Sequence, residues 1–216
     1  LAEPRCEEWC CVPEILPMFP LGTVLLPGMV LPLHVFEPRY RQLVADVLAD
    51  DGRFGVVLIE RGHEVGGNDS RTSVGTVAEV VRAEELDDGR WVLVAIGTDR
   101  IRVDQWLDGA PYPCAEVTTW PDADTRVEPD LLAEVGRKLQ RVLALADELG
   151  EDVPEVDLDA EPLTASFQAV ILSPLGPQDS QHLLVQPDAQ ERLARLADLL
   201  DDQEEVLQFR LGDSTR

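Results

Sequence analysis

LPMFPLGTVLLPGMVLPLHVFEPRYRQLV, residues 16–44, decides how the first half of this chain is built. Apolar residues sit between Pro17, Pro20 and Pro27, a spacing that excludes helix and predicts short extended segments joined by tight turns over residues 16–28. Residues 31–36 read as another extended run. Pro38 then suits the first turn of a helix, and Tyr40, Leu43, Val44, Val47 and Leu48 recur at helical spacing until Gly52.

Outward from that stretch the pattern stays extended. FGVVLI, residues 54–59, is a continuous apolar run of buried-strand type, followed by a polar loop containing Gly62, Gly66 and Gly67. Residues 74–83 read as a strand, Asp88-Gly89 as a hairpin turn, and residues 90–103 as the return strand. A further strand is predicted over 114–120, with Ala115, Val117 and Thr119 on one face and Cys114, Glu116, Thr118 and Trp120 on the other.

The character changes at Pro121. PDADTRVEPD is an acidic, proline-bracketed linker, and from about Asp130 the residues Leu132, Val135, Leu139, Val142, Ala146 and Leu149 form one apolar helical stripe ending at Gly150. Leu163, Phe167, Val170 and Ile171 mark a shorter helix halted by Pro174, and Pro177 starts another turn or two around His182. Asp188 with Glu191 resembles a capping box before a last stripe of Leu193, Leu196, Leu200 and Leu207. The expected organisation is a disordered leader over 1–15, a β-rich domain with one short helix over 16–121, a helical bundle over 122–211 and a tail over 212–216. The fold class is α+β.

Charge narrows the function classes. Eighteen basic residues against 42 acidic ones give a net charge of −24, and the only lysine is Lys138, so the cationic face needed for nucleic acid or anionic lipid is absent from the sequence pattern. No apolar run reaches transmembrane length, and the acidic leader LAEPRCEEWCCVPEI is unlike a signal peptide, so a cytoplasmic location is expected. Three of the four cysteines, Cys6, Cys10 and Cys11, crowd into that leader, which is not the paired framework of a disulfide-stapled domain.

Candidate chemistry is sparse. There is no phosphate-cradling loop followed by a lysine, and Lys138 reads as a helix surface residue. Ser166, Ser173 or Ser180 with His182 and Asp179 could be assembled into a hydrolase triad only by geometry, since nothing in their spacing selects them. His34, His63 and His182 lie far apart, the irregular cysteines of the leader are a poor metal set, and the Gly62, Gly66, Gly67 loop lacks a following basic residue. The reading assigns no catalytic, metal or cofactor-binding residue and no cofactor.

The order of segments carries more information than any single motif. Phe19-Pro20-Leu21, Leu26-Pro27-Gly28, Leu33 and Phe36-Glu37-Pro38-Arg39-Tyr40 follow one another as in the N-terminal substrate-binding domain of Lon proteases. FGVVLIERGHEVGG (54–67), Val74-Gly75-Thr76-Val77-Ala78, Gly97-Thr98-Asp99-Arg100-Ile101 and LLVQPDAQERLARLADLL (183–200) extend the likeness from residue 16 to about residue 210. The chain resembles the stand-alone form of that domain. The resemblance implies a PUA-like β domain followed by a helical bundle, and help in selecting protein substrates. It carries over no catalytic residue and no motif that fixes peptide-contacting positions. Phe36 is expected to end a strand in the core, with Glu37 at the positive end of the helix that Pro38 begins.

The expected function is therefore non-catalytic recognition of exposed segments of misfolded or tagged proteins, with a separate protease as a further partner and neither nucleic acid nor membrane bound. Strand addition and an apolar groove both remain open as the mode of capture. Two other classes are a small-molecule pocket in the β domain and a peptidase with a dispersed site.

Overall fold

A computed structural model describes residues 13–61, 70–108 and 111–214. Contacts divide the chain into two compact units, Leu1–Pro121 and Asp122–Arg216. The first unit holds β1 (Glu14–Leu21), β2 (Val30–Val35), α1 (Pro38–Ala49), β3 (Arg53–Arg61), β4 (Ser70–Glu85), β5 (Trp91–Leu107) and β6 (Cys114–Thr119). The second holds α2 (Pro129–Glu148), α3 (Pro162–Leu172), α4 (Pro177–Leu184) and α5 (Ala189–Ser214). The chain is thus α+β, and its described residues form a mixed six-stranded sheet and five helices.

The strand order is β2-β5-β4-β3-β1-β6, and β5 also pairs with β6. Five strands therefore close into a barrel, while β2 hangs on the first half of β5. Closure needs β5 to serve two neighbours on one side, and its 17 residues allow that: residues 91–96 pair with β2 and residues 101–107 with β6. Among the described strands only β1 and β3 run parallel. Their connection passes through β2 and α1, as a parallel pair demands a crossover.

Both faces of β1 are buried, which is why its sequence is apolar without strict alternation. Leu16 and Met18 join Val57, Val77, Ile101, Ala115 and Val117 inside the barrel. Phe19 and Leu21 face the other way and pack with Tyr40, Leu43, Val44 and Val47 of α1. The stack of Phe19 on Tyr40, with ring centroids 4.2 Å apart and planes 10° from parallel, anchors the helix there.

The turn before β2 follows from Pro27-Gly28. Met29 N–H donates to Leu26 C=O at 3.0 Å and Gly28 has φ of 81°, the proline-then-glycine arrangement of a type II turn. The buried Thr76 hydroxyl ties this segment down by donating to Leu25 C=O at 2.7 Å.

In the second unit the α2 stripe buries Val135, Leu139, Val142, Leu143 and Ala146, and α5 buries Leu193, Leu196, Leu200 and Leu207. Asp188 caps α5 by accepting from Glu191 N–H at 2.8 Å. Three local expectations need correction. β1 begins at Glu14, inside the stretch read as leader, and α5 continues to Ser214. Leu163 is 38% exposed because it sits in the first turn of α3, where Ala165, Ser166 and Phe167 take the inward positions.

Candidate functional site

The part of the sheet outside the barrel has two unlike faces. Strand alternation turns Leu31, Leu33 and Val35 toward the α1 side, opposite Ala95, Leu93 and Trp91. Val30, Pro32 and His34 turn the other way, opposite Ile96, Val94 and Val92. One strand further on, Glu79, Arg82 and Glu84 of β4 continue the same rows.

That second face is apolar and open. Val30 is 56% and Val92 43% exposed; Val81, the extra residue of a β4 bulge, is 54% exposed. Pro32 is exposed, and Val94 and Ile96 are half-buried between the strands. Around them stand exposed His34, Glu79 and an Arg82–Glu84 pair at 3.7 Å. An apolar centre with a charged rim is the usual make-up of a surface that meets another chain.

Phe36 extends this exposure and overturns the expectation that it lies in the core. It is 57% exposed, because Val35 already fills the last inward position of β2 and the next residue must point out. Glu37 is the N-cap residue of α1 by position, yet its side chain makes no capping bond and instead accepts from Arg39 Nε at 3.1 Å.

Cavities lie within the units among the described residues. One of about 380 Å³ is bounded by Pro38, Arg41, Gln42, Glu85, Gly89 and Trp91. Another, of about 320 Å³, is strongly acidic: Arg53 donates to Glu14 at 2.6 Å and Asp51 at 2.7 Å, and Tyr112 donates to Asp46 at 2.7 Å. The bond from Arg53 holds the Asp51 carboxyl below its usual range, and burial followed by the Asp46 contact pushes the Tyr112 hydroxyl far above its own. The third, about 440 Å³, belongs to the second unit, between residues 122–127 and the starts of α3 and α5.

The chain matches the family described as the ATP-dependent protease La (LON) substrate-binding domain over residues 15–202. It belongs to that family. It is 30% identical to a Lon protease of Trichlorobacter lovleyi over 213 residues, covering 93% of this chain and 25% of that protein. With a Lon protease of Roseiflexus castenholzii the identity is 32% over 201 residues, again with 25% of that protein covered. The chain thus spans about a quarter of the length of these relatives. Among solved structures, a Lon N-terminal domain protein from Xanthomonas campestris superposes with a TM-score of 0.66 at 30% identity, over 85% of this chain and 96% of that one. The N-terminal domain of a Mycobacterium avium complex Lon protease shares the fold, with a TM-score of 0.61 at 20% identity over 88% and 99% of the two chains.

The residues singled out from sequence are scattered across this LON substrate-binding domain. Ser166 is fully buried and accepts from Arg192 Nη1 at 2.8 Å while donating to Leu163 C=O, and Ser173 donates to Ala169 C=O at 2.6 Å. Ser180 and Asp179 are half-buried on α4, where His182 is exposed. Lys138 is more than the surface residue expected: its side chain is only 14% exposed and bridges Glu134 at 3.1 Å and Asp201 at 2.7 Å, tying α2 to α5. His34 lies on the open face of β2. Cys6, Cys10, Cys11, His63 and the Gly62, Gly66, Gly67 loop lie outside the described residues. Among the described residues no cluster of His, Cys, Asp and Glu is arranged to hold a metal, and no helix is long and apolar enough to cross a membrane.

The valines of the open face were not singled out from sequence. A signal existed in WVLVAI, residues 91–96, which is apolar at every position, whereas a strand with one solvated face alternates.

Proposed function

We propose that this LON substrate-binding domain is a non-catalytic cytoplasmic recognition module that binds exposed segments of misfolded or tagged proteins and passes them to a separate protease. The observation that carries the reading is the open apolar face formed by Val30, Pro32, Val92, Val94 and Ile96. Membership of a substrate-binding family supports it.

The free edge of β2 favours capture by side chains over strand addition. Among the described residues β2 pairs only with β5. Proline in an edge strand sits with its missing N–H turned outward, so Pro32 interrupts the row of donors that an added strand would need. Apolar side chains of an unfolded segment, laid on the valine rows, lose water without that requirement. The net charge of −24 argues against nucleic acid as the ligand.

The test is binding of one labelled polypeptide, presented unfolded and native, with its integrity read by mass spectrometry from the same samples without nucleotide. Selective binding of the unfolded form, intact, is expected. Val92→Glu and Val30→Glu should each weaken it about tenfold or more, with stability changed by no more than about 0.5 kcal/mol. Cleavage of the polypeptide, or equal binding by wild type and both variants, would overturn the proposal.

A further inference from the structure

We propose that the segments captured on the open sheet face are apolar stretches bordered by lysine or arginine, with the basic side chains set along β4. The inference rests on the polypeptide-binding reading above and names the class of segment it takes.

The carboxylates of this face stand on one side of it. Along the first half of β5 each outward apolar residue has a charged neighbour on β4: Glu79 beside Ile96, Arg82 beside Val94 and Glu84 beside Val92. Adjacent strands lie about 4.8 Å apart. A segment laid over the apolar residues of β5 therefore brings its bordering side chains onto that line.

The line is acidic in balance. Glu79 is exposed, and its carboxylate makes no hydrogen bond or ion pair among the described residues. Arg53, opposite Glu79 on β3, is already held by Glu14 and Asp51. Arg82 and Glu84 are 3.7 Å apart with side chains 77% and 63% exposed, a loose pair that leaves Glu84 open to a second cation. A lysine or arginine suits such a border, because its alkyl stem covers apolar surface while its charge stays at the wet edge.

The net charge of −24 decides between occupants. A second copy of this chain brings the same charge and is repelled, and an apolar segment bordered by Asp or Glu meets a field of its own sign. A basic border is attracted by the rim and by the field together. Apolar contact alone is non-directional, so the charges supply the selectivity that the valines lack.

Fluorescence anisotropy on the full chain tests this with fluorescein-labelled peptides that share one core of leucine and valine and carry lysines, serines or glutamates at both ends. At about 0.1 M salt the lysine peptide should bind about tenfold more tightly than the glutamate peptide, with the serine peptide between them, and at about 1 M salt the gap should shrink to about twofold. Glu79→Gln combined with Glu84→Gln removes two of 42 acidic residues, so its effect reports the rim and not the overall field. It should cut the gap to about threefold and leave the serine peptide unchanged. Equal binding of the lysine and glutamate peptides, or a gap that the double variant leaves whole, would overturn this inference while leaving the polypeptide reading intact. Equally tight binding of a lysine-bordered peptide with a glycine and serine core would also overturn it, by showing capture of charge without the apolar face; no binding of any apolar peptide would remove both readings.

Discussion

The guanidinium of Arg192 lies 3.7 Å from the ring centroid of Phe167, and the side chain has no exposed surface. Its Nη2 donates to Asp122 Oδ1, Nη1 to Ser166 Oγ at 2.8 Å and Nε to Leu183 C=O at 3.3 Å, so one arginine links the first residue of the second unit to α3, α4 and α5. Burial pulls the Arg192 pKa down and the Asp122 carboxylate opposes that pull. Removing one member of a buried pair leaves the other charge uncompensated. Asp122→Ala should therefore cost about 3–5 kcal/mol, measured by urea denaturation. Adding Arg192→Met in the same chain should recover part of the loss, because the stranded charge goes with it.

Phe19 stacks on Tyr40 and also touches Phe54 at a centroid distance of 6.2 Å. With Leu21 it is how β1 holds α1. Phe19→Ala should destabilise the chain by about 3–5 kcal/mol, whereas Phe19→Leu should cost about 1.5 kcal/mol or less. Thermal unfolding of the two variants separates volume loss from loss of the stack.

Gly97 sits where the segment before β2 crosses β5. Gly97 N–H donates to Met29 C=O at 2.9 Å and its carbonyl accepts from Gly28 N–H at 2.8 Å. A Cβ at this position would overlap the carbonyl oxygen of Leu26, which is backbone and cannot swing aside. Gly97→Ala should cost about 1–3 kcal/mol and raise hydrogen exchange at Gly28.

Glu161 caps α3 by accepting from Thr164 N–H at 2.7 Å and Leu163 N–H at 2.9 Å. Those two donors, Thr164 first, hold its carboxyl below the usual glutamate range. A depressed folded-state pKa means that the stabilisation is complete above the unfolded value and is lost as pH falls through the folded one. Glu161→Ala should cost about 1 kcal/mol at neutral pH. The gap between wild type and variant should narrow from about pH 5 downward, read from denaturation midpoints across that range. A gap that stayed constant would mean the carboxylate charge contributes nothing to the cap.

Local patterns reached most of the elements because helix and strand periods are written in neighbouring residues. Pro38 with Tyr40, Leu43, Val44 and Val47 marks α1, and the stripe from Val135 to Ala146 marks α2; in both, the apolar positions are the buried ones. At Phe36 and Lys138, where the reading failed, the deciding neighbour lay far along the chain. Phe36 has the composition of a core residue, and only the pairing of Val35 with Trp91 turns it outward. Lys138 became a bridge because Asp201, distant in sequence, stands opposite it on α5.

The sequence by itself determined the α+β class, the change of character at Pro121, the acidity that argues against nucleic acid, and the order of segments that marks a LON substrate-binding domain. Each depends on composition, on spacings within one helix or strand, or on the order of such segments along the chain. Tertiary structure decided which apolar residues stay in water and which charges are paired. The open rows of Val30 and Val92 exist because β5 continues past the barrel beside β2, and among the described residues of the first unit no element packs over that face. Burial and pairing are sums over neighbours supplied by folding, so no local pattern encodes them.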